Sequence, residues 1–68
     1  MKIGDIVVLV DAQLSMMPPK HQGKHFEITS LGDERYLSAI IVGDDSLYAY
    51  YLKKTCIRPL TPLEKALL

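Results

Sequence analysis

Cys56 is the only cysteine in a chain of 68 residues. That single fact narrows the folding options more than any other. A chain this short buries only about 60% of the surface that its unfolded form exposes, so small domains usually add disulfides or a metal. One thiol allows no intramolecular disulfide. Cys56, His21 and His25 offer at most three zinc ligands, and in a strand the two histidines would stand about 13 Å apart. No metal or cofactor is therefore expected. Stability must come from apolar packing, and 49% of the residues are hydrophobic. That is too apolar a content for a disordered chain.

The pattern of turn residues divides the chain into short strands and predicts an all-β domain. The first strand runs Ile3 to Val10, rich in β-branched residues. Ile6, Val8 and Val10 lie on one face and Val7 and Leu9 on the other, so both faces need cover. The connection Asp11 to Gly23 contains Pro18-Pro19, which forbids regular structure, yet it carries Leu14, Met16 and Met17. These three either fold back over Val7 and Leu9 or form an exposed Met-rich contact patch; core cover is favoured, because an uncovered strand would aggregate. The second strand, Lys24 to Leu31, places Phe26 and Ile28 inward. Leu31-Gly32-Asp33-Glu34 forms a turn, in which Gly32 is free to take positive φ. The third strand, Arg35 to Val42, turns Leu37, Ala39 and Ile41 inward and Tyr36, Ile40 and Val42 outward. Gly43-Asp44-Asp45-Ser46 closes a hairpin. In the fourth strand, Leu47 to Leu52, both registers are apolar and the alternation selects neither. Lys53-Lys54-Thr55 reads as one turn, and Cys56-Ile57-Arg58 as a last strand ended by Pro59. Thr61-Pro62-Leu63-Glu64 signals a helix start with a capping box. Leu63, Ala66 and Leu67 share one face, which an eight-residue helix must dock to persist.

Three segments carry a resemblance at the level of fold: Ile3-Gly4-Asp5-Ile6-Val7-Val8, Gly23-Lys24-His25-Phe26-Glu27-Ile28, and Leu52 through Leu60. With the order of strands and turns, they resemble SH3-like small β-barrels of bacterial and phage type. The resemblance implies a five-stranded barrel over residues 1–60, with residues 61–68 as a helical turn docked on it. It carries fold rather than function. Eukaryotic SH3 domains bind Pro-rich ligands through aromatics that include tryptophan. This chain has no Trp, and Ser46-Leu47-Tyr48-Ala49-Tyr50 lies far from the position of the similar Ala-Leu-Tyr-Asp-Tyr signature.

Eight basic residues balance eight acidic ones, so no global field draws in nucleic acid. No phosphate loop or nucleophile elbow occurs, the carboxylates fall in turns without paired geometry, and no enzyme activity is expected. The longest apolar run, Ile6 to Val10, is far too short to span a bilayer, and a lone thiol fits a reducing cytoplasm. Two binding functions remain. One is protein interaction or homodimer formation through the apolar surplus of Met16, Met17, Tyr36, Tyr48 and Tyr50. An accessory protein of a phage or mobile element that blocks a host factor is one form of it. The alternative is RNA or DNA binding through Lys20, His21, Lys24 and His25, aided by Lys53, Lys54 and Arg58.

Overall fold

Alternation of apolar and polar residues decides which way the two central strands face, and the backbone follows it. The computed structural model describes residues 2–44 and 48–67. Strands β1 (Ile6–Leu9), β2 (His25–Ser30), β3 (Tyr36–Ile41), β4 (Tyr50–Lys53) and β5 (Ile57–Pro59) precede helix α1 (Pro62–Ala66). They make one antiparallel sheet in the order β4-β3-β2-β1-β5. The sheet is open, with β4 and β5 at its edges, and no pairing joins those edges among the described residues. The expected hairpin residues Asp45 and Ser46 and the expected strand start Leu47 lie outside the described residues.

One face of the sheet holds the core. Val7 on β1 pairs with Phe26 on β2, which pairs with Ile41 on β3, so three strands deliver one inward row. Leu37 and Leu52 extend it across β3 and β4. All five strands contribute to a single apolar cluster that also takes in Cys56 and Tyr50. A flat sheet could not bring five strands to one cluster, so the sheet curls around it. The Cα radius of gyration is 11.0 Å, against about 10.9 Å for a compact domain of this length.

The loop after β1 is only partly the expected lid. Met17 and Ala12 enter the cluster, but Met16 is 92% exposed and Leu14 is also open to solvent. The reason is local. The amide N–H groups of Ser15, Met16 and Met17 donate to the carbonyls of Asp11, Gln13 and Ala12 in one tight helical turn. The Asp11 carboxylate accepts from the Leu14 N–H at 3.0 Å. Met16 ends the turn in the left-handed region, at φ 57°, which sends neighbouring side chains to opposite sides.

Helix α1 carries the expected capping box. The Glu64 N–H donates to Thr61 Oγ1 at 3.2 Å and the Thr61 N–H donates to Glu64 Oε1 at 2.9 Å. Its apolar face, however, does not dock as expected: Leu63 and Leu67 are 73% and 79% exposed. Polar contacts orient this single turn. Arg58 on β5 grips the Glu64 carboxylate with both guanidinium nitrogens, at 2.8 and 3.1 Å. The Arg58 bonds and the Thr61 N–H hold the Glu64 pKa down at about 2. A depressed carboxyl pKa contributes stability above the unfolded value of 4.5 and loses it as pH falls toward the folded one. Acidification from pH 5 to 2 is therefore expected to unwind α1 while the sheet persists. Backbone chemical shifts of residues 61–66, compared with those of β2, check this. Because the pair is solvent-accessible, added salt should weaken the effect.

Candidate binding surface

Strand β4 separates the tyrosines. Tyr50 and Leu52 point to the core side, so Tyr51 and Lys53 point to the outer face. Register places Tyr36 opposite Lys53 and Ser38 opposite Tyr51. Tyr36 and Tyr51 are thus diagonal neighbours on the outer face. Their ring centroids lie 6.5 Å apart, and the rings meet edge to face at 81°. Tyr51 is 69% exposed and Tyr36 is half-buried. The two rings and Asp33 line an open groove of about 270 Å³.

Asp33 is a fixed rim. Its Oδ1 accepts the backbone N–H groups of Tyr36 at 2.9 Å and Arg35 at 2.8 Å. These donors, with the nearby cations of Lys54 and Arg35, hold its carboxyl below the usual range. Lys54 Nζ donates to the Asp33 carbonyl oxygen, tying the loop before β3 to the turn after β4. A neighbouring groove of about 330 Å³ is lined by Glu34, Arg35, Lys53, Lys54 and Thr55.

The other aromatic candidates lie on the opposite side of β4. Tyr50 packs edge-on against Phe26 at 6.1 Å and on His21 at 5.3 Å. Tyr48, 65% exposed, covers Tyr50 at 4.8 Å. Of the expected interface residues, Met17 is removed to the core, Tyr50 is a half-buried support, and Met16, Tyr36 and Tyr48 reach solvent. Tyr51 was not among them. Within residues 47–52 no polar residue chooses between Tyr50 and Tyr51. The following Lys53 was the available signal, since a cation seeks the wet face and residue 51 shares it.

The basic candidates do not form one track. Lys20 and Lys24 are exposed and His25 is half-buried; Lys24 and His25, without Lys20, line a groove of about 580 Å³ that Gly23, Ile41, Val42, Gly43 and Asp44 complete. His21 is corrected from surface to interior, at 6% exposure. Arg58 is committed to Glu64. Lys53 sits opposite Tyr36 at one end of β3, while His25 lies beside Val42 past its other end. The run from Tyr36 to Val42 separates them by about 20 Å along the strand.

The sheet edges are partly closed. On β4 the Lys53 N–H donates to Ser15 Oγ at 3.3 Å. On β5 the register turns Pro59 toward the free side, where it presents no N–H. Among the described residues no three metal-ligating side chains come together, and no helix is long and apolar enough to cross a membrane. Comparison of the chain with protein-family models, curated proteins and solved structures finds no match.

Proposed function

We propose that this chain is a non-catalytic protein-binding module, its curled sheet an SH3-like barrel, that docks a partner on the outer face of β3 and β4 around Tyr36 and Tyr51. The observation that carries this reading is the open tyrosine pair over the groove with Asp33. A tyrosine offers large apolar area with a polar tip, at low entropic cost, and such residues dominate binding energy at interfaces. Asp33 and the lysines beside it supply a polar rim. The site offers aromatic faces and a fixed carboxylate, and no nucleophile with a neighbouring base.

Support for the barrel is the strand order, with β5 returning beside β1, and the convergence of all five strands on one cluster. Nucleic-acid binding has less support. Of its seven expected residues, His21 is buried, Arg58 is ion-paired, and Lys54 is bonded to the Asp33 carbonyl.

The test is capture of a partner from native lysate by the immobilised chain, with and without nuclease, followed by titration of the purified partner. Tyr51→Ala should weaken affinity at least tenfold, about 1.4 kcal/mol or more, as a hot-spot tyrosine does. It should leave circular dichroism unchanged, since exposed substitutions shift stability little. Tyr48→Ala should bind normally. Capture abolished by nuclease, or indifferent to both Tyr36→Ala and Tyr51→Ala, would overturn the proposal.

A further inference from the structure

His21 combines two features that rarely coexist in a stable interior. It is 6% exposed, and its Nδ1 is buried with no hydrogen-bond partner. It ends a short 3₁₀ turn, Pro19–His21, after which the Gly23 N–H donates to the Leu9 carbonyl and returns the loop of residues 11–23 to the sheet. Its ring rests 5.3 Å from that of Tyr50. The charged and titratable groups facing it are Lys20 on its own turn, Lys24 from the segment entering β2, Asp44 from the hairpin after β3, and Tyr50 from β4. Two cations oppose a charge on the ring and one carboxylate favours it.

A neutral imidazole tolerates this site because only one of its nitrogens carries a proton. An imidazolium donates from both, and a buried N–H without an acceptor is costly. The same loop places Met17 in the core and Ser15 against the Lys53 N–H on the edge of β4. We propose that His21 is an acid-sensitive latch: neutral, it holds the loop of residues 11–23 down on Tyr50; protonated, it releases the loop, uncovering Met17 and uncapping the edge of β4.

Burial, with Lys24 and Lys20, lowers the His21 pKa from 6.5, and Asp44 opposes the shift. The sign follows. The closed loop binds a proton less readily than the open one, so closure has its full strength above pH 6.5 and weakens as pH falls below it. The opening equilibrium should rise by up to about tenfold per pH unit until the closed-state pKa is reached.

The experiment is an NMR titration from pH 8 to 5 that follows the His21 ring protons and the exchange protection of the Lys53 amide. His21 should titrate below pH 6.5, and Lys53 protection should fall with it. His21→Phe keeps a ring on Tyr50 without the titration, so protection should become flat with pH. His25→Gln should preserve the fall. A His21 midpoint at or above 6.5, or Lys53 protection constant in the wild type, sinks the latch. So does an unchanged fall in His21→Phe. If that variant does not fold, the two wild-type readouts decide alone.

Discussion

Phe26→Ala is expected to remove a large share of the chain's folding stability. Phe26 is fully buried in the inward row between Val7 and Ile41, and its ring supports Tyr50 edge-on. Truncating a core phenylalanine costs about 3–5 kcal/mol, from lost transfer energy and the cavity left behind. The whole stability of a chain this size is on the order of 3–10 kcal/mol, from the usual per-residue range. With no disulfide to limit the unfolded ensemble, one cavity consumes much of that margin. Urea denaturation should show a large fall in midpoint with little change in slope. Phe26→Leu, which refills most of the space, should lose much less. Equal losses in both variants would mean that the ring's shape, rather than its volume, holds the cluster.

The second large effect comes from Gly32→Ala, in the turn between β2 and β3. Gly32 has φ +60°, and a Cβ there would lie 2.3 Å from the Tyr36 carbonyl oxygen and 3.2 Å from the Leu37 Cα. Both neighbours are backbone, and that carbonyl accepts the Asp33 N–H at 3.1 Å. No side-chain rotation relieves such a contact. Strained φ and a backbone clash together should cost about 2–4 kcal/mol. Gly43 has φ +86° but nothing within 4 Å of a new Cβ, so Gly43→Ala should cost about 1 kcal/mol for conformation alone. Thermal unfolding of the pair separates the two contributions, and equal losses would refute the close approach at Gly32. Because the turn sets Tyr36 and Asp33, Gly32→Ala should also weaken docking on the tyrosine groove beyond its effect on the folded fraction.

The aromatic groove shows how unevenly the site could be read. The sequence puts Tyr36 on the outer face, because Leu37, Ala39 and Ile41 claim the inner one and Ser38 marks the alternation. Tyr51 escaped because residues 47–52 contain no polar residue to mark a face. His21 looked like one member of a basic surface cluster beside Lys20 and Lys24. Its burial depends on Tyr50, almost thirty residues away, and no spacing rule reaches that far. Met16 and Met17 are chemically identical neighbours, and only the turn from Asp11 to Met17 decides which of them enters the core.

Strand identity, the inward faces of β2 and β3, the glycine turn at Gly32 and the capping box at Thr61 were all written in the sequence alone. Each depends on groups within a few residues of one another, where period-two alternation, backbone sterics and short side-chain bonds act without help from the rest of the fold. The burial of His21 and the exposure of Leu63 and Leu67 are decided only by tertiary structure. Each is a competition between distant segments for the same limited interior, and the outcome depends on how the whole chain shares that space.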